Sequence, residues 1–214
     1  MILAIETSTS QATLVLLDPQ SGELLWQSEF ESDRLHNAKI FDPVAEALEL
    51  CREKLQRIVV GLGPGSYSGI RVGIAVANGL GIALDVPVAG LASIAVLAEE
   101  EDYAVVGDAR RSSYYLARIH QQRLLSEPEL LSHDLWQQQM YTLRQQGLSI
   151  YSTEKSLTEH EEYDLVLRSP KALELARQCA SMAEEEWKNL HTQALQPIYL
   201  RSPYITKAKN KPCI

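Results

Sequence analysis

The chain reads as an α/β protein built on mixed sheets, and three observations carry that reading. Short β-branched and aliphatic runs open the sequence around tight polar turns. Amphipathic stretches with three- and four-residue spacing then alternate with further short strands. The strand-turn-strand opening returns near residue 103. With 214 residues and 45% apolar content, the chain can bury a substantial core as one large domain or two small ones.

The elements follow in order. Ile2 to Ile5, Ala12 to Leu17 and Glu23 to Phe30 read as three antiparallel strands, the last two joined by the hairpin loop Asp18-Pro-Gln-Ser-Gly22. Ile40, Val44, Ala47, Leu48, Cys51 and Leu55 recur at helical spacing from about Ala38. Arg57 to Gly61 is a strand, Gly69 to about Leu84 a helix, Pro87 to Gly90 a strand and Ser93 to Glu100 a helix. The order β-β-β-α-β-α-β-α is that of an RNase H-like unit with a mixed sheet. The acidic run Glu99-Glu-Glu-Asp102 marks a junction, giving subdomains 1–102 and 103–214. Beyond it, Tyr103 to Asp108, a tight Ala109-Arg-Arg-Ser-Ser113 and Tyr114 to His120 repeat the opening, so the fold is expected twice, smaller and degenerate the second time. Later elements are a helix near Asp134 to Gln146, a strand near Asp164 to Leu167, and a helix opened by Pro170 and running to about Trp187.

Composition excludes several functions. Acidic residues outnumber basic ones 28 to 20, so the whole-molecule field repels a phosphate backbone. Only the last fourteen residues, with Arg201, Lys207, Lys209 and Lys211 and no acid, form a basic tail, read as a solvated terminus. Cys51, Cys179 and Cys213 give neither a disulfide framework nor a zinc knuckle, which fits a reducing, cytoplasmic setting. Met1 to Ile5 is too short for a signal or membrane segment. His36, His120, His133, His160 and His191 are isolated, so no metal site is expected.

The segment Gly61-Leu-Gly-Pro-Gly-Ser-Tyr-Ser-Gly-Ile-Arg-Val-Gly73 invites a phosphate-loop reading, which its spacing rejects. A P-loop needs a lysine, and none occurs between Lys54 and Lys155. A dinucleotide fingerprint needs glycine at 66 or 68, and both are serine. Mechanically, Gly63, Pro64 and Gly65 turn the chain and Ser66 or Ser68 caps the helix. Gly69, Gly73, Ala77 and Gly81 then fall every fourth residue as a bare ridge, and Ala75, Gly79 and Ala83 form a second such row. Three or four interior glycines cost about 2–4 kcal/mol, which close backbone approach must offset, either to the chain's own sheet or to a partner helix.

Four blocks resemble, in order and spacing, the signatures of the TsaB (YeaZ) family: Ile2-Leu-Ala-Ile-Glu-Thr-Ser-Thr9, the glycine segment, Pro87-Val-Ala-Gly-Leu-Ala-Ser93 and Asp108-Ala-Arg-Arg111. Pro197-Ile-Tyr-Leu-Arg201 resembles the closing segment of that family. Glu6 replaces a common aspartate, and Tyr67-Ser68 a common Phe-Thr. The resemblance implies an actin-like ATPase architecture and a non-catalytic subunit that binds a TsaD-type transferase during threonylcarbamoylation of tRNA adenosine 37. It also implies a TsaE-type ATPase and a threonylcarbamoyl-adenylate synthase as further partners, a homodimer when the chain is alone, and only indirect contact with tRNA.

On that reading, Ile40, Val44, Ala47, Leu48, Cys51, Gly69, Arg71, Gly73, Ala77 and Gly81 form the partner interface. A bulky residue at Gly73 or Ala77 is then expected to abolish association and leave the monomer folded. The metal-binding histidines of the transferase fall on Ser93 and Leu97. Glu6, Thr7, Ser8, Asp108, Arg110 and Arg111 mark a vestigial nucleotide cleft, with no cofactor and no catalytic residue expected. The rival readings are an ATP-dependent transferase or kinase using Glu6 and Asp108 around magnesium, and a metallopeptidase.

Overall fold

A computed structural model describes residues 1–31, 37–51, 53–159 and 161–201. His36, His160, Lys207, Lys209, Lys211 and Cys213 lie outside them. The first sheet holds β1 (Ile2–Glu6), β2 (Gln11–Leu17), β3 (Leu24–Glu31), β4 (Arg57–Gly61) and β5 (Val88–Leu91). The second holds β6 (Asp102–Asp108), β7 (Ser113–His120), β8 (Arg123–Leu124), β9 (Glu129–Ser132), β10 (Ser149–Ser152) and β11 (Val166–Leu167). The helices are α1 (Phe41–Cys51), α2 (Tyr67–Leu84), α3 (His133–Gln145), α4 (Lys155–Thr158), α5 (Ala172–Ser181) and α6 (Glu184–His191).

The first sheet runs β3-β2-β1-β4-β5, antiparallel across β1, β2 and β3 and parallel across β1, β4 and β5. In the second sheet β9, β7 and β6 are antiparallel and β6, β10 and β11 parallel, which is the same order and the same signs. The sequence restart is therefore a true repetition, two RNase H-like halves in the actin-like arrangement. The second half is degenerate: β10 and β11 span four and two residues, α4 is a single turn, and β8 shares the β7 edge with β9.

Burial follows sheet position. Every residue of β1, central and covered on both faces, is buried, whereas the edge strand β3 alternates exposed and half-buried residues. On one face of the first sheet, Leu3, Ile5, Leu14 and Val60 meet Val44 and Ala47 of α1 and Ile70, Ile74 and Ala77 of α2. On the other face, Ile2, Ala4, Val15, Leu17 and Val59 meet Leu175, Ala176 and Cys179 of α5 and Trp187 of α6. This corrects the division at residue 103: α5 and α6 belong by packing to the first sheet, whose second apolar face would otherwise stand in water. Each large side chain buried there contributes about 1.5–3 kcal/mol. Thr13 fixes the approach, its hydroxyl accepting from the Ala172 amide at 2.8 Å.

Other boundaries moved slightly. The helix expected over Ser93 to Glu100 is a 3-10 turn, Ser93–Val96. The helix expected from Pro170 to Trp187 breaks at Met182 and Ala183, both extended. A 3-10 turn, Asn37–Ile40, precedes α1.

Candidate functional site

Three signature blocks meet at the carboxyl end of β1. The Ser66 amide donates to the Ser8 carbonyl at 2.6 Å, and the Ser66 hydroxyl caps α2 by accepting from the Gly69 amide at 3.3 Å. The Thr7 hydroxyl donates to the Gly69 carbonyl at 2.8 Å. Ser93 closes the triangle, its hydroxyl accepting from the Gly63 amide at 2.9 Å and its own amide donating to the Gly63 carbonyl at 2.9 Å. Gly63 has φ 83°, so the loop needs glycine there, and its peptide bond to Pro64 is cis.

This geometry decides what the bare ridge of α2 does. A Cβ on Gly69 would lie 2.1 Å from the Thr7 carbonyl oxygen, one on Gly73 2.4 Å from the Thr7 hydroxyl, and one on Gly81 2.3 Å from a Val88 methyl. The ridge is the contact between α2 and its own sheet. The expected partner interface is corrected accordingly: Ile40, Val44, Ala47, Cys51, Gly69, Gly73 and Ala77 are buried and Leu48 and Gly81 half-buried, because these are the apolar and small faces that cover Leu3, Ile5 and Val60. Of that set Arg71 alone is exposed, stacked on the Tyr67 ring with a 3.0 Å bond to its hydroxyl.

The outer surface is a different set. On α2 the exposed row is Arg71, Ala75, Asn78, Gly79, Ile82 and Ala83, with Ile82 85% exposed. On α1, Phe41 and Leu50 are 61% and 56% exposed. A Cβ on Gly79 would meet nothing within 4 Å. By length and composition α2 also qualifies as a membrane span, yet its apolar row is spent on the sheet.

Between the two sheets lies a cleft of about 910 Å³. Ser8, Thr9 and Ser10 line it from the β1–β2 turn, and Gly65, Ser66, Tyr67 and Ser68 from the glycine segment. Asp108, Ala109 and Arg110 face them from the β6–β7 turn. Ser8, Asp108 and Arg110 are thus brought together on the walls of one cleft. Glu6, Thr7 and Arg111 are not among the lining residues. Glu6 is fully buried beneath Gly61 and Ser93, with Oε1 accepting from the Ser8 amide at 2.6 Å and Oε2 without a partner of full hydrogen-bond geometry. Burial pushes its carboxyl above the usual range, and the hydroxyls and amides of Ser8, Ser93 and Thr7 offset this only in part.

The cleft also holds residues that sequence reasoning missed: Tyr115, Thr153, Glu154, Ser156 and Leu200. Thr153, Glu154 and Ser156 follow β10, the counterpart of β4, so they occupy the place that the glycine segment takes in the first half. Recognising β10 would have found them. Glu154 Oε2 accepts from the Asp108 amide at 3.2 Å, and burial, with the Asp108 charge behind it, raises the Glu154 carboxyl. Arg110 is paired with Asp108, its amide 2.6 Å from Oδ1 and Nη1 3.1 Å from Oδ2. Two carboxylates against one engaged arginine make this a poor seat for a phosphate.

The described histidines have local partners: His120 Nδ1 lies 2.8 Å from Asp102, His191 Nδ1 2.9 Å from the Trp187 carbonyl, and His133 beside Tyr114 and Trp136. Among the described residues no group of three or more metal-ligating side chains gathers.

Comparisons with known proteins agree with this geometry. A family model, TsaD: tRNA N6-adenosine threonylcarbamoyltransferase, matches residues 30–136. The tRNA threonylcarbamoyladenosine biosynthesis protein TsaB of Haemophilus influenzae is 27% identical over 94% of this chain and 93% of its own length. The Bacillus subtilis protein of that name is 30% identical over 53% of this chain and 52% of its own. Two solved structures from Pseudomonas aeruginosa superpose along nearly their whole length. YeaZ covers 92% of this chain and 99% of its own at TM-score 0.66 and 23% identity; a protein described as similar to peptidase YeaZ covers 94% and 99% at TM-score 0.67 and 25% identity. With the signature blocks joined at one point and the doubled fold shared from end to end, this chain belongs to the TsaB (YeaZ) family.

Proposed function

We propose that the chain is a non-catalytic subunit of the cytoplasmic machinery that makes the N6-threonylcarbamoyl modification of tRNA adenosine 37, and that it binds a TsaD-type transferase through the outer faces of α1 and α2. The observation that carries this is the exposed stripe itself. On α2, Ile82 stands out of the surface beside the small residues Ala75, Gly79 and Ala83, with Arg71 and Tyr67 at the start of the same exposed row, and Phe41 and Leu50 are exposed on the two flanks of α1. Large apolar anchors beside small residues suit close helix-helix packing, and Tyr and Arg are favoured at interface centres. A TsaE-type ATPase and a threonylcarbamoyl-adenylate synthase complete the pathway, tRNA is met only through the complex, and the same stripe closes on a second copy when the transferase is absent.

The non-catalytic part of the reading rests on Glu6. Fully buried under Gly61, its carboxyl cannot reach a substrate in the cleft, and Asp108 is already engaged by Arg110. Calorimetry of the purified chain against a TsaD-type protein tests the partner: Ile82→Glu should weaken binding at least a hundredfold with an unchanged melting temperature, and unchanged binding would refute it.

One observation favours a second reading, an ATP-dependent transferase: the 910 Å³ cleft carries Asp108 and Glu154 on one wall and Ser8 to Ser10 on the other. Titrating the isolated chain with ATP and magnesium separates the two, since sub-millimolar binding would support the transferase.

A further inference from the structure

Residues 192–201, which follow α6, hold no regular structure, and the last of them cross from one half of the molecule to the other. Leu195 packs into the core of the first sheet beside α2. The Ile198 amide donates to the Leu62 carbonyl, inside the glycine segment, at 2.9 Å. Tyr199 sets its ring 5.8 Å from that of Tyr67. Leu200 then enters the core of the second sheet, with Ile94, Tyr103, Ala109 and Tyr115. Arg201 Nη2 donates to the Arg110 carbonyl at 3.2 Å, on a turn where Arg110, Arg111 and Ser112 all have φ between 56° and 66°. Within seven residues the strap seats one side chain in each core and bonds to a turn on each side of the cleft.

The two halves touch again at the far end of β6 and β7. There Gln178 of α5 donates to the Gln122 carbonyl at 2.7 Å, and Arg123 pairs with Glu186 of α6. A body joined at both ends of a cleft opens only if one end releases. The α5 and α6 end is built on a buried core, whereas the strap is a single segment without regular structure, with a cavity of about 190 Å³ behind it, between Pro64, Tyr67 and Ile70 on one side and Ala109 on the other. The strap is therefore the end able to release.

We propose that residues 195–201 are a clasp that sets the opening of the cleft between the two sheets, with Leu200 and Arg201 as its catch on the second half. The clasp belongs to the isolated chain and does not depend on which partner binds α1 and α2.

The test is a distance measurement on the full chain. Spin labels on cysteines replacing the exposed Glu46 of α1 and Gln138 of α3, in a Cys213→Ser background, report the separation of the halves, since Cys51 and Cys179 are buried. The parent should give one narrow distance. Arg201→Ala and Leu200→Ala should each add a second, longer population. The Ala109 and Ser113 amides, which close the turn, should exchange at least tenfold faster, while those of Ala4 and Val59 are unchanged. An unaltered distance and unaltered turn exchange in Arg201→Ala would overturn the clasp, and that variant decides alone if Leu200→Ala does not fold. A melting-temperature loss in Leu200→Ala with no change in distance would also overturn it, leaving the strap as core filling.

Discussion

The two bare rows of α2 have nearly the same composition and opposite fates. Gly69, Gly73 and Ala77 are buried against β1 and β4, so close at the two glycines that an added Cβ would strike Thr7, whereas Ala75, Gly79 and Ala83 face outward and a Cβ on Gly79 would meet nothing within 4 Å among the described residues. Small residues at four-residue spacing say that something must come close; they do not say what. On the inner row it is the chain's own backbone, so those glycines hold the fold. The outer row is exposed, and among the described residues nothing approaches the open position at Gly79, which leaves the row available to a second helix.

Substitution should break this contrast in a graded way. Gly69→Leu should be the most damaging, because its Cβ would meet a backbone carbonyl that no side-chain rearrangement relieves; a loss of about 3 kcal/mol or more is expected by urea unfolding. Gly73→Leu should unfold the monomer as well, which reverses the expectation that bulk at this position spares the fold. Retention of wild-type stability by either variant would show that the inner row is not the sheet contact.

On the outer row, Gly79→Arg should leave the melting temperature within a degree or two and weaken partner binding by about 2–3 kcal/mol, as loss of an interface centre does. Equal damage to fold and binding would erase the distinction between the rows.

Glu6 sharpens the comparison from the side of the sheet. Its folded carboxyl is raised above the ordinary value, so the stability it contributes is complete below about pH 4.3, its unfolded value, and is lost as pH rises through the folded value. Glu6→Gln keeps the shape and cannot ionise. Thermal melts should place it above the parent at neutral pH, with the gap closing towards pH 4. Glu154, raised in the same direction, is present in both proteins and cancels. A gap that widens on acidification would contradict the buried-acid account.

The smallest effect is the most discriminating. Gly79→Ala should stabilise the isolated chain by about 0.5–1 kcal/mol, since a helix-interior glycine in open space gains from a methyl group. If a partner helix approaches here, the same methyl should lower affinity. A gain in stability with no change in affinity would place the partner elsewhere.

Much of the fold was legible because it is local. Strand-turn-strand openings, the Ser66 cap and the α3 limits follow from patterns that span a few residues, and the repetition near residue 103 was visible as a second opening of the same kind. Strand β10 was not legible, since a run of four residues carries too little alternation to register, whereas β11 is the strand expected near Asp164 to Leu167. With β10 went Thr153, Glu154 and Ser156, a whole wall of the cleft. The orientation of α2 was half legible: Ile70 and Ile74 stand beside Gly69, Gly73 and Ala77 on the helix, and weighing them would have turned the ridge inward.

By itself the sequence determined most of the elements of the first half, their order, the doubling and the family, because signature blocks, caps and hydrophobic periods are read along the chain. Only the tertiary structure decided which row of α2 is buried, that Glu6 lies under Gly61 and outside the cleft, that α5 and α6 return to the first half, and that residues 195–201 cross from it to the second. These depend on which surfaces meet. An apolar face must be covered, but its spacing does not name the segment, twenty or a hundred residues away, that will cover it.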